Sequence, residues 1–361
     1  MLTDPGGPGM PVAARRAFRV SLIMALALAA AYGLALPLPY LAPVFAVLLN
    51  VTPGPPMGLK GLLGLILVVL ITTGIGLLLT PVLVKYPVPG LLIVALGLYV
   101  SMYVSVNLGK GPIGALLSIG FTLIPAAGTV DYALAVAVVQ ALVVGIGLAI
   151  VCQWIVYPWF PEDPAPAGAP VPDSAMPAAA EEIASNWIAF RAALIVLPPF
   201  LLALINPSMY LATIIKTVQL GQAGSEISAR DAGRELLGST FLGGCFAVLF
   251  WFGLKLCPSL WMFFLWTLLF GLYFFSKLYQ IIPTRFGPSF WQNTAVTMLI
   301  LLGPAVQDSA NGKDVYAAFA VRMALFIAVT AYAWAAIAVL ERFRLRRRHR
   351  SLPSTMVMES G

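Results

Sequence analysis

The stretch YALAVAVVQALVVGIGLAIVCQWIVY, residues 132–157, runs for 26 positions without a charged side chain. As a helix rising about 1.5 Å per residue, it is long enough to cross a hydrocarbon core of about 30 Å. The sequence around it repeats the pattern. Before it come Val20–Leu36, Leu38–Val51, Leu59–Val84, Gly90–Val106 and Ile113–Ala127. After a polar break come Ala192–Ile205, Ser208–Leu220, Leu236–Leu256, Leu260–Leu278, Phe290–Val306 and Val315–Leu340. That makes six apolar blocks on each side of the break.

Composition agrees. Of 361 residues, 60% are hydrophobic and 10% charged, whereas soluble domains carry about 25% charged residues. A water-soluble globule is excluded, and no polar stretch is long enough to form a separate catalytic or nucleic-acid-binding domain. Basic Arg15, Arg16 and Arg19 ahead of the first block fit a secretory signal. The same design recurs in mid-chain at Arg191, so we read the first block as a span. The expected fold is an all-α polytopic membrane protein of about 12 transmembrane helices, some short or proline-broken.

The expected organisation has five parts. Residues 1–14 are a disordered Gly/Pro-rich start and 15–157 a first six-helix membrane repeat. Residues 158–186 are a Pro/Ala linker, 187–343 a second six-helix repeat and 344–361 a basic tail. The repeat is legible in matched residues. Phe18-Arg19 is echoed by Phe190-Arg191, Tyr40-Leu41-Ala42 by Tyr210-Leu211-Ala212, and Leu62-Leu63-Gly64 by Leu236-Leu237-Gly238. Gly97-Leu98-Tyr99 returns as Gly271-Leu272-Tyr273, Gly111-Pro112 as Gly287-Pro288, and Asp131 as Asp314. An even number of crossings makes the repeat parallel.

Charge sets the orientation. With the N-terminus inside, Lys60, Lys110, Arg230, Arg234, Lys277 and Arg285 fall on cytoplasmic loops, and Lys85, Lys255 and Lys313 outside. Both termini and the linker are then cytoplasmic. The tail Arg342 to Arg350 reads as an anchor to anionic lipid headgroups rather than a nucleic-acid surface.

Enzyme chemistry finds little support. His349 is the single histidine and lies in the tail, and no phosphate-binding G-x-x-x-x-G-K-[ST] run exists. Cys152, Cys245 and Cys257 are scattered without metal or disulfide spacing, so no metal or cofactor is expected. The informative residues are ionisable groups inside apolar blocks, each costing about 2.5–3.5 kcal/mol on insertion scales. Lys216 lies about 14 Å along its helix from Pro207, with Gln219 and Gln222 on the same face. Arg322 lies about 12 Å beyond Asp314. A cation in low dielectric favours an anionic solute. Gln292 and Asn293 are candidate orienting groups and Trp291 a stacking surface. The first half is poorer, with Ala46 where the second has Lys216 and Val139 where it has Arg322. Asp131 and Asp314 open the sixth helix of each half and read as helix caps or a proton relay. Glu226, Asp231 and Glu235 beside Arg230 and Arg234 read as a solvated charge cluster or an inner gate.

Two segments of each half, Leu38–Val51 with Ile113–Ala127 and Ser208–Leu220 with Phe290–Val306, are short or closed by proline. Broken helices at matched places in two repeats point to a transport site; Pro-capped helices in a plain bundle are the alternative.

The run Arg-Glu-Leu-Leu-Gly-Ser-Thr-Phe-Leu-Gly-Gly, residues 234–244, resembles the Arg-x-x-Gly-Thr-x-x-Gly pattern of the fusaric-acid-resistance-like (FUSC-like) aromatic acid exporters. Thr52-Pro53 with Gly58, Lys60 and Gly64 is similar to a degenerate first copy, and Arg322 and the six-plus-six layout fit as well. The resemblance implies a bacterial inner-membrane exporter of aromatic carboxylic acids or related organic anions. It would be driven by the proton gradient and often works with a periplasmic membrane-fusion adaptor. This chain has only the short linker where the longer exporters carry a large cytoplasmic domain. The function expected is therefore efflux of a small organic anion, with Lys216 and Arg322 holding the carboxylate. A passive anion channel and a non-transporting subunit that docks an adaptor are the alternatives. A homo-oligomer is compatible with all three.

Overall fold

The computed structural model describes residues 10–162, 179–205, 207–226, 233–310, 312 and 314–350. Most of the linker, the last eleven residues, Lys313, Arg230 and Asp231 lie outside the described residues, as do the side chains of Gln222, Glu226 and Arg234. The described residues form twelve α-helices. They are α1 (Val12–Gly33), α2 (Leu41–Asn50), α3 (Leu59–Lys85), α4 (Pro87–Val106), α5 (Gly111–Gly128) and α6 (Tyr132–Val156). Then come α7 (Ala179–Ile205), α8 (Pro207–Glu226), α9 (Gly238–Leu256), α10 (Leu260–Leu278), α11 (Pro288–Ala310) and α12 (Val315–Arg350). Helix therefore starts at Val12 and continues to Arg350, beyond the expected irregular start and into the expected tail.

Local chemistry explains several boundaries. Asp131 and Ser259 accept hydrogen bonds from Ala133 N (2.9 Å) and Met262 N (3.2 Å), capping α6 and α10. Proline opens α4, α8 and α11, where its missing N–H is not needed. α2 has only 10 residues, roughly 15 Å of helix. The chain continues as irregular backbone over 51–58, exposed or half-buried, where two carbonyls find donors. Tyr279 Oη donates to Val51 O at 2.6 Å, and Trp154 Nε1 to Met57 O at 2.6 Å. Two side chains from distant helices thus satisfy part of this irregular backbone.

Seven helices, α3, α4, α6, α7, α9, α10 and α12, are long and apolar enough to cross a bilayer. Their outer faces carry a belt of exposed large apolar side chains, among them Leu67, Leu78, Leu92, Leu96, Leu249, Leu256, Trp261 and Leu269. No water-soluble surface tolerates such a belt, so the chain is a multi-pass membrane protein.

Helix pairing follows a pattern. α1 packs on α10, and α4 on α7; α3 packs on α5, and α9 on α11; α2 packs on α6, and α8 on α12; α5 packs on α8, and α11 on α2. Small residues permit the closest crossings. A Cβ on Gly120 would lie 2.8 Å from Thr72 O, and one on Gly243 2.8 Å from Thr294 O. α2, α5, α8 and α11 come together at the centre. Of these α2 alone is markedly short, since α8 and α11 run for 20 and 23 residues and Pro125 and Pro304 lie inside their helices rather than closing them, contrary to the expected short segments.

The two ends of the bundle are tied differently. At the end where α1 begins, Arg16 and Arg19 pair with Glu162, and Arg191 pairs with Glu341 at 3.3 Å. Asn107 there bonds Asn186 at 2.6 Å. At the far end, Gly303 lies directly against the Tyr40 ring and Gln307 Nε2 donates to Pro37 O at 3.2 Å.

Candidate functional site

Where α2, α5, α8 and α11 meet they leave a hollow. Its wide part, about 260 Å³, is lined by Phe45, Leu48, Leu49 and Val51 of the α2 segment with Thr52, Gly111, Ala115, Leu116, Ile146 and Gln292. A narrow part of about 30 Å³ continues from it, sharing Phe45, Leu48 and Ala115 and adding Ile215, Val218, Gln219 and Val296. The wide part lies near the last turn of α2 and the first turns of α5 and α11, toward the end of the bundle where α1 begins. No charged side chain lines either part.

Lys216 sits one helix face away from this wall. Its side chain is fully buried, at 0% exposure. Nζ donates to Asn293 Oδ1 at 2.8 Å and to Thr297 Oγ1 at 2.6 Å. The acceptors are held in turn: Thr297 Oγ1 donates to Asn293 O at 2.6 Å, and Asn293 Nδ2 to Ser239 Oγ at 2.5 Å. Ser239 Oγ passes the chain on to Leu236 O at 3.1 Å. The result joins α8, α11 and the start of α9 around one amine. No described carboxylate forms an ion pair with it, so only neutral dipoles hold this amine. The sequence shows a deep lysine with glutamine beside it, but it does not show Ser239, which lies 54 positions from Asn293 and on another helix.

Arg322 is elsewhere. Its guanidinium pairs with Asp308 at 2.6 Å, near the far end of the bundle. The side chains are 20% and 10% exposed, so the pair is partly buried and neither residue lines the hollow. Lys216 and Arg322 are thus not brought together around one solute. Asp308 was missed in the sequence; its signal is a lone acid at the end of an apolar block, fourteen positions before the arginine.

Of the remaining candidates, Gln219 and Gln292 face the hollow and Asn293 does not. Consecutive residues on a helix point about 100° apart, which sends Gln292 to the cavity and Asn293 to Lys216. Trp291 is buried in an aromatic group away from the hollow, edge-on to Tyr273 and Phe290, with Nε1 donating to Thr284 Oγ1 at 3.1 Å. Asp131 and Asp314 are exposed and cap their helices, Asp314 Oδ1 accepting from Tyr316 N at 3.0 Å. Glu235 accepts from Ser289, which joins the start of α9 to α11.

No curated protein and no solved structure matches the chain. One sequence family does match, over residues 16–156, which run from the first turns of α1 to the end of α6. Its description is "Protein of unknown function (DUF2955)", and the resemblance to FUSC-like exporters has no counterpart in it.

Proposed function

We propose that this membrane protein transports a small organic anion, an aromatic carboxylic acid in the first instance, through the central hollow. Movement is outward and driven by the proton gradient, as in the exporters whose motif residues 234–244 resemble. The observation that carries this reading is Lys216. A fully buried amine with no carboxylate partner is costly, and an anion arriving in the adjoining hollow offsets that cost.

The duplicated design supports the same reading. Advancing each helix by six places converts the pairing α1–α10 into α7–α4, α3–α5 into α9–α11, α2–α6 into α8–α12, and α5–α8 into α11–α2. Phe45, Leu48 and Leu49 precede Ile215, Val218 and Gln219 by 170 positions, and all six line the hollow. A cavity on the axis between two equivalent units is the usual place for a carried solute. The family match over α1–α6 alone fits a unit of that size. With the loop charges placed inside, the wide part faces the cytoplasm, where an exporter loads. Arg322 and Asp308 then belong to the closed outer end.

The test is transport in liposomes. Purified protein with an imposed proton gradient is expected to move benzoate, and Lys216→Met to reduce that movement at least tenfold while remaining folded. Conductance without a gradient in planar bilayers would replace the carrier with a channel.

A further inference from the structure

Polar groups inside this bundle are, as a rule, satisfied. Buried hydroxyls of Ser101, Ser118, Thr122, Thr267 and Thr330 each bond the carbonyl one turn back. Buried groups without partners are therefore worth explaining. Among the described side chains with an unmet buried polar atom, Gln219 alone lines the hollow: its Oε1 is buried without a hydrogen-bond partner. No hydrogen bond from its amide nitrogen is found among the described residues. An unmet amide costs about 1–3 kcal/mol, which a ligand can recover.

We infer that the Gln219 amide is the group that recognises the ligand's head, and that the hollow binds one-ring compounds bearing a carboxyl or a carboxamide, charged or not. This rests on the cavity reading above and adds a second, uncharged ligand class to it. A primary amide offers one donor and one acceptor side by side. A carboxylate takes the donor, and a carboxamide takes both. The shape agrees. A head group of a few atoms fits the narrow part beside Gln219, and the wide part, about 260 Å³, exceeds the roughly 150 Å³ that holds benzene in an apolar cavity. Lys216 then adds to affinity only where the ligand carries negative charge.

The experiment is calorimetric titration of the full-length protein in micelles with benzoate and with benzamide, alongside thermal unfolding. Wild type is expected to bind both, benzamide within about fivefold of benzoate. Gln219→Leu should weaken both at least tenfold without lowering the unfolding temperature. Gln219→Glu, equal in size, should weaken benzoate more than benzamide through like charge. Lys216→Met should weaken benzoate more than benzamide. Wild type that binds benzoate and not benzamide, or Gln219 variants that leave both affinities within twofold, overturns the inference. Equal loss or no loss of the two ligands in Lys216→Met, with both still lost in Gln219→Leu, overturns the anion reading and keeps this one.

Discussion

The two walls of the hollow, α2 with α5 and α8 with α11, are dressed differently. On α2 and α5 the lining is Phe45, Leu48, Leu49, Ala115 and Leu116, with Ala46 fully buried behind it. On α8 and α11 it is Ile215, Val218 and Val296 with Gln219, Gln292 and, behind them, Lys216 with its bonded Asn293 and Thr297. One wall supplies shape and the other supplies polarity. An apolar wall needs no partners, but a buried amine needs acceptors on neighbouring helices. The polar wall therefore also fixes how α8, α9 and α11 sit against one another.

The strongest way to break this comparison is to move the charge. Ala46→Lys puts an amine at 0% exposure, without the Asn293 and Thr297 acceptors that hold Lys216, at an insertion cost of about 2.5–3.5 kcal/mol plus overpacking. The yield of monodisperse protein in gel filtration is expected to collapse, whereas normal yield would show that the first wall tolerates charge as well as the second.

The next largest effect is at the far end. Asp308→Asn strips the Arg322 guanidinium of its carboxylate, and the exposure of the pair reduces the usual loss to about 1–3 kcal/mol. Thermal unfolding should fall for Asp308→Asn and recover in the double variant Asp308→Asn/Arg322→Met. Additive losses would mean that the two side chains do not act as a pair.

Lys216→Met sharpens the contrast from the other side. It removes a costly amine and leaves two acceptors unmet, opposing effects that keep the unfolding temperature within about 3 °C of wild type. A larger drop would make Lys216 chiefly a structural strut.

The smallest effect concerns Glu162, beneath the bundle. Burial works to raise its carboxyl, but hydrogen bonds from Arg16 and Arg19 and their charges outweigh it and hold it below the ordinary 4.5. A lowered carboxyl stabilises the fold above that ordinary value, and the contribution fades as pH falls through the lowered one. Glu162→Gln should therefore lower the unfolding temperature slightly at pH 7, with the gap to wild type closing below pH 4 or so. A gap that persists in acid would assign the loss to packing.

Much of the fold is legible in the sequence because membrane helices declare themselves by unbroken apolar length. The blocks ending at Leu256, Leu278 and Val106 close where α9, α10 and α4 close. α2 is harder. Its prolines announce a break, but only the structure shows that the carbonyls of Val51 and Met57 are met by Tyr279 and Trp154, from helices far away in the chain. The site is less legible still. Lys216 stands out as a charge among apolar residues, and Gln219 falls on its helix. What the sequence hides is direction: whether Trp291 meets the hollow or an aromatic group depends on how α11 is rotated against α9 and α10. Arg322 shows the same limit, since its partner is fixed by the turn between α11 and α12.

Gly303 sits where the Tyr40 ring occupies the space a methyl group would need. Alanine at that position would drive a methyl group into the ring, so the ring or α11 would have to shift. The lack of a single carbon atom is thus what lets α11 and the approach to α2 close on each other at this end of the bundle.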